Sequence, residues 1–262
     1  MTRAPALLLA CALVAARAGA DEPPRPLRCD LVTDLSVTGA AVAAMVALAV
    51  LEPQLASLQC RICAPDALDD SIHRALVWSD TRAADTASTV LAGGLLPAGL
   101  LAYGLVSADR AGDLAAGVVD ALLVVQAVSI ATVLEEGVKY AAARLRPYAW
   151  YGHLPPTYER NMSFYSGHTS FAFATAAAAG TIFTMRGYPG ASAVLGFGLA
   201  AATAVGYLRM AADQHYFTDV LAGAAVGGAV GFAIPWLFHR PRGTAPRPGD
   251  VLPAPGGFAI AL

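Results

Sequence analysis

Three groups of residues carry the chemistry that this chain of 262 residues could perform. Lys139 and Arg146 come first, Ser166-Gly167-His168 second, and Arg209, His215 and Asp219 last. Lys139, Arg146 and Arg209 could surround a dianionic or trianionic group, because guanidinium forks match phosphate oxygens bidentately. Ser166 and Gly167 open an apolar run, so the N–H groups and dipole of a helix starting there would point at the same anion. His215 and Asp219 stand four apart on one helical face, where the carboxylate could fix the imidazole tautomer and stabilise an imidazolium that develops during attack. His168 is then free to serve as the acid. Taken singly, each residue has a plainer explanation: basic side chains at helix ends snorkel toward headgroups, and an isolated histidine is commonly a satisfied packing residue. Taken together they describe a pocket that prefers phosphate.

The segments that must position these residues are long and apolar. The chain is 56% hydrophobic and 14% charged, with a mean hydropathy of +0.55, whereas an ordinary soluble domain is roughly a quarter charged. Alanine supplies much of that apolarity, which lets helices approach closely. Five segments near bilayer length follow one another at about 88–107, 114–134, 169–185, 190–208 and 217–238, and Gly223, Gly227 and Gly231 place small residues one turn apart. The fold predicted is all-α, a multi-pass transmembrane helix bundle of about five or six spans. The run from Leu35 to Leu51 stops at Glu52-Pro53 and falls short of the roughly 20 residues a span needs, while residues 67–78 mix acids and bases with Leu, Ile and Trp as an interfacial amphipathic helix does. In an alternating bundle the end of one span and the start of the next share a side, so all three charged groups meet at one face. Ionisable residues in such places are functional by default.

At this point the pattern resembles a known family. Lys139, six residues, Arg146-Pro147; Ser166-Gly167-His168; then Arg209, five residues, His215, three residues, Asp219 is similar to the three-part signature of the type 2 phosphatidic-acid phosphatase superfamily. That superfamily includes membrane lipid phosphatases, soluble class A acid phosphatases and vanadium haloperoxidases. The resemblance implies hydrolysis of a phosphate monoester or pyrophosphate on a lipid or isoprenoid. His215 would attack phosphorus to form a phosphohistidine, Asp219 would orient it, and His168 would protonate the leaving alkoxide and later activate water. Lys139, Arg146, Ser166, Gly167 and Arg209 would hold the phosphoryl oxygens, with no metal or other cofactor. Two positions depart from the family: Tyr165 stands where proline is usual and Leu208 where serine is usual. Glu135 and Glu136 fall outside the signature and are assigned to packing or to a salt bridge with Arg144. The competing readings are a soluble periplasmic acid phosphatase and a non-catalytic transporter or scaffold with a vestigial motif.

The remaining signals bound location and domains. Residues 1–20 read as an export signal, with Arg3, an apolar run and Ala18-Gly19-Ala20 before Asp21; an uncleaved anchor is the alternative. Residues 21–87 form an N-terminal segment, 88–238 the phosphatase core, and 239–262, rich in Pro and Gly, a disordered tail. Cys60-Arg61-Ile62-Cys63 has redox spacing without the surrounding strand and helix alternation, so it is read with Cys29 as a structural disulfide or as thiols. A net charge of −2 and the lack of an aromatic and basic stripe exclude nucleic acid as a partner. The partners expected are the membrane and a lipid-phosphate or isoprenyl-pyrophosphate substrate, in a bacterial-type inner membrane. Arg110, Arg186, Arg240, Arg242 and Arg247 fall opposite the catalytic side, which keeps Arg144 and Arg160, so the positive-inside tendency directs the site to the periplasm and requires the run at 35–51 not to cross.

Overall fold

The computed structural model describes residues 24–241 together with the backbone of residues 251–254 and 257–260. The leader at 1–20, Arg242 and Arg247 lie outside the described residues. The first helix among the described residues, α1 (Leu31–Val50), is capped by Asp30, whose side chain accepts from the Thr33 N–H. It therefore begins a full turn before Leu35 and reaches 20 residues, or about 30 Å. That corrects the expectation of a run too short to span: the helix is long and apolar enough to cross a membrane.

Pro53 opens α2 (Glu52–Leu55), and Asp66 caps α3 (Ala67–Leu76). Then α4 (Thr81–Val90) continues through a π-helical turn (Leu91–Leu95) into α5 (Leu96–Arg110), and α6 (Leu114–Ala142) runs for 29 residues. Short α7 (Pro147–Tyr151) and a 3-10 turn (Glu159–Asn161) precede α8 (Gly167–Arg186), α9 (Ala191–Ala211) and α10 (Phe217–Phe238). Where the sequence suggests an irregular tail, the backbone pairs β1 (Val251–Ala254) with β2 (Gly257–Ile260), antiparallel. Among the described residues five helical stretches have the length and hydropathy of spans: α1, Thr81–Arg110, α6, α9 and α10.

The sixth long helix, α8, is the centre. Most of its residues are buried against α10, α9, α6 and α5. Its small side chains, Ala176 to Gly180 among them, permit this, and α10 answers with its glycine stripe. A Cβ at Gly223, Gly227 or Gly231 would fall 2.7, 2.2 or 2.4 Å from the carbonyl oxygens of Ser166, Ser170 and Ala174. Backbone thus lies against backbone, the contact that small residues exist to allow in membranes. Such a helix needs little lipid-facing hydropathy of its own.

Chain direction then sorts the ends. The N-terminal ends of α1, α6 and α9 lie with the C-terminal ends of α5, α8 and α10, tied by Arg25 N–H to Arg186 O and Arg28 N–H to Arg240 O, each 3.0 Å. At the other face the segment between α1 and α4 folds over the bundle: Arg61 N–H bonds Ala143 O at 2.9 Å, Leu145 N–H bonds Ile62 O at 2.9 Å, and Trp78 N–H bonds Ala211 O at 3.0 Å. A disulfide between Cys60 and Cys63 closes a turn of that segment. In α3 the buried residue is the acid Asp69 rather than an apolar one.

Candidate active site

His215 sits in the connection between α9 and α10, 2% exposed. Its Nδ1 lies 2.8 Å from the Ser163 carbonyl oxygen. A carbonyl only accepts, so Nδ1 carries the ring proton and Nε2 keeps its lone pair. Nε2 in turn lies 3.4 Å from Nη1 of Arg146. Burial, and then the positive charges of Arg146, Arg209 and Lys139, hold the imidazole well below the ordinary histidine range, while the Ser163 bond opposes them. It is a neutral base with its free nitrogen facing cations.

The spacing of four predicts a direct bond from Asp219 to His215, and here the geometry differs. Asp219 Oδ2 is 3.8 Å from Nδ1. It accepts instead from Ser163 Oγ at 2.6 Å and from the Tyr216 N–H at 2.9 Å, while Oδ1 accepts from Arg144 Nη1 at 2.6 Å. The cause is local: Asp219 is the N3 residue of α10, and its carboxylate turns back to cap that helix. Asp219 therefore grips Ser163, and the Ser163 carbonyl grips the imidazole.

Each predicted cation is present and each is partnered by oxygen. Arg146 donates from Nε to Glu159 O at 3.2 Å and from Nη1 to Gln214 Oε1 at 3.1 Å. Arg209, in the last turn of α9, is bound to Asp85 of α4 and donates to Ser88 Oγ at 3.1 Å. Lys139 is paired with Glu135 and lies 3.7 Å from Glu136. The salt bridge foreseen between those glutamates and Arg144 is not made. Glu135 and Glu136 share a helical face with Lys139, whereas α6 ends at Ala143 with φ 43° and turns Arg144 toward Asp69 and Asp219.

Ser166 is the N-cap residue of α8; its N–H donates to the Asp219 carbonyl at 3.1 Å and its Oγ is 2.9 Å from Thr169 Oγ1. At Gly167 a Cβ would meet Glu135 Oε1 at 2.7 Å and Lys139 Nζ at 3.1 Å, so a larger residue there would displace the ends of the Glu135–Lys139 pair. His168 Nε2 lies 3.2 Å from Thr89 Oγ1. His168, Lys139 and Gly167 line a cavity of about 340 Å³ whose other walls include Ala92, Gly93, Thr132 and Phe171. Glu135 and Glu136 line it as well, while His215, Arg146 and Arg209 are not among its lining residues.

The two departures have visible consequences. Tyr165 is buried with its ring edge-on to Phe164. Leu208 packs against Ala84, Ala211 and Ala212, and the hydroxyl beside Arg209 comes from Ser88 instead. Sequence reasoning missed Ser88, Asp85, Asp69 and the role of Ser163. The first three lie far ahead of the signature in the chain and look there like ordinary polar residues of amphipathic helices. Ser163 acts through its carbonyl, which no residue type encodes. Among the described residues, Cys29, Asp34 and His239 bring possible metal-ligating atoms within 4.8 Å of one another. They lie at the opposite end of α10, and both ring nitrogens of His239 already have partners, Arg28 O and Gln126 Oε1, each at 3.0 Å.

The PAP2 superfamily model matches residues 119–242. That stretch contains all eight predicted site residues. A solved transmembrane PAP2-type phosphatidylglycerolphosphate phosphatase from Bacillus subtilis is 20% identical, with 77% of this chain and 93% of that one covered and a TM-score of 0.49. No curated protein matches significantly.

Proposed function

We propose, from the match of the PAP2 superfamily model to residues 119–242, that this protein is a membrane phosphatase that removes phosphate from a lipid or isoprenoid through a phosphohistidine. The observation that carries the reading is the pairing of His215 Nδ1 with the Ser163 carbonyl, which leaves Nε2 unprotonated beside Arg146. A phosphoryl group seated among Arg146, Arg209 and Lys139 would place phosphorus in front of that lone pair. Nε2 forms the N–P bond, the P–O bond to the leaving group breaks, and His168 delivers a proton to the departing oxygen. Water then attacks phosphorus, His168 takes its proton, and the N–P bond breaks to release phosphate. The cations, the Ser166 hydroxyl and the Gly167 N–H stabilise the equatorial oxygens as charge redistributes. Asp85, Glu135 and Glu136 must share or yield Arg209 and Lys139 when the phosphate arrives.

His215→Ala should abolish turnover, and brief exposure of the wild type to substrate should trap an acid-labile phosphohistidine. Retained activity in the variant removes the assignment. Vanadate, which adopts the five-coordinate geometry of phosphoryl transfer, should inhibit, and a chelator should not. A panel of phosphatidic acid, phosphatidylglycerophosphate and isoprenyl pyrophosphate identifies the substrate.

The same reading includes an orientation: the site faces the periplasm. Arg61, Arg74 and Arg82 share the site face with Arg144 and Arg160, while Arg25 and Arg28 join the opposite face, so the basic residues separate the two sides only weakly. The disulfide supports the orientation instead, since Cys60–Cys63 lies in the segment covering the site and disulfides persist in oxidising compartments. With α1 crossing, a periplasmic site requires residues 24–30 on the cytoplasmic side, and hence a leader that is neither cleaved nor exported.

A further inference from the structure

Arg144 is buried, with 7% of its side chain exposed, between two carboxylates that have none: Nη2 lies 2.6 Å from Asp69 Oδ2 and Nη1 lies 2.6 Å from Asp219 Oδ1. Thr218 completes the cluster. Its Oγ1 accepts from Arg144 at 2.7 Å and donates to Asp69 Oδ2 at 2.6 Å, and its N–H donates to Asp69 Oδ1 at 2.9 Å. Adding the Asp219 bonds to Ser163 and Tyr216, all four carboxylate oxygens are engaged. Buried charge is tolerated when it is paired in this way; Arg144 Nε is left without a hydrogen-bond partner, and the cluster carries a net charge of −1. One of its members, Asp69, comes from outside the family core.

We propose that Asp69 and Arg144 are positioning residues for the phosphoryl transfer: acting through Asp219 and Ser163, they aim Nε2 of His215 and set the negative charge beneath its Nδ1. The proposal rests on His215 as nucleophile. The path is continuous: Arg144 to Asp219, Asp219 to Ser163 Oγ, Ser163 O to Nδ1. When Nε2 forms its bond to phosphorus the ring becomes cationic and Nδ1–H donates more strongly. A carboxylate 3.8 Å away stabilises that cation. Left unshielded, the same carboxylate would also favour a proton on the resting ring, which would remove the nucleophile; Arg144 offsets it. Asp69 keeps Arg144 divided between two anions, so the shielding is partial.

Every charged element around His215 enters this balance. Arg146 follows α6, Lys139 lies on α6 with Glu135 and Glu136, Arg209 on α9 with Asp85 of α4 beside it, His168 on α8, and Asp219 on α10. The three cations lower the proton affinity of the ring, and the Ser163 carbonyl, with Asp219 and Asp69 behind it, opposes them from the Nδ1 side.

The test is the pH dependence of kcat/KM for Arg144→Gln, Arg144→Lys and Asp69→Asn, with kcat and KM measured separately and His215→Ala carried alongside. Arg144→Gln should lower kcat roughly 100-fold with KM little changed, as misaimed nucleophiles do, and should raise the acid limb by about one pH unit because Asp219 is unmasked. Arg144→Lys should return the limb to its wild-type position. Asp69→Asn, which removes an anion, should lower kcat without raising the limb. An acid limb unmoved in Arg144→Gln, with only thermal stability reduced, makes the cluster a mere tie between α3 and α10. If Arg144→Gln does not fold, wild-type kcat in Asp69→Asn overturns the proposal. Turnover by His215→Ala would defeat the nucleophile assignment itself, a distinct outcome.

Discussion

His215 and His168 differ in their hydrogen-bond partners, and that difference divides their work. His215 is locked by a carbonyl, while His168 touches only a hydroxyl, Thr89 Oγ1, at the wall of the cavity. A proton donor matters most when the leaving group is poor, so His168→Ala should lose far more rate on an alkyl than on an aryl phosphate. Equal losses would assign His168 to binding. The depressed proton affinity of His215 has a second consequence. The reactive form is the unprotonated one, so kcat/KM should not fall from neutrality down through the ordinary histidine range, only below it; an acid limb near pH 6.5 would contradict this. Asp85, whose side chain is 45% exposed, occupies Arg209 in this structure. Asp85→Asn should therefore tighten vanadate inhibition by roughly threefold, a modest gain because exposed pairs are worth little.

At the scale of elements, two helices define the site by how they end and how they touch. The cap formed by Asp219 starts α10 and displaces its carboxylate from His215, while the glycine stripe brings α10 onto α8 so that Ser166 and Asp219 become neighbours. Gly227→Ala puts a methyl 2.2 Å from the Ser170 oxygen, and should destabilise by about 1–3 kcal/mol, the usual range for overpacking. Gly196→Ala, with nothing within 4 Å, should be neutral or slightly stabilising. Thermal unfolding in detergent compares them, and equal midpoints would mean the stripe does not govern packing. The span boundaries at α8, α9 and α10 were legible within a few residues because apolar runs there end at Gly, Pro or charge. The start of α1 was not, since Leu31 to Asp34 reads as polar sequence until the Asp30 cap is seen.

For the whole molecule, the proposed orientation turns the site toward the periplasm, and that is testable by labelling. A single cysteine introduced by Thr157→Cys, in a variant with the native cysteines replaced, lies in the loop between α7 and the 3-10 turn on the site face. It should react in intact cells with a membrane-impermeant thiol reagent. Labelling only after the inner membrane is broken would assign the site to the cytoplasm, and would agree with a cleaved leader followed by six crossings.

Sequence alone determined the membrane class and the helical bundle, and it nominated the eight candidate residues, because apolar run length and motif spacing are local properties. Lys139, Gly167 and Arg209 could be chosen from residue type and order without knowing any neighbour. The tertiary structure decided what each one touches. That Lys139 is paired with its own helix, that Arg209 is bound to Asp85 at a separation of 124 residues, and that Arg144 joins Asp69 to Asp219 all follow from packing between distant segments. No composition or periodicity encodes such pairings, since an acid in the first turn of α3 satisfies the same local rules whether it faces water or the interior. The Ser163 carbonyl is the extreme case: its function belongs to the backbone, and only the folded chain brings it within 2.8 Å of His215.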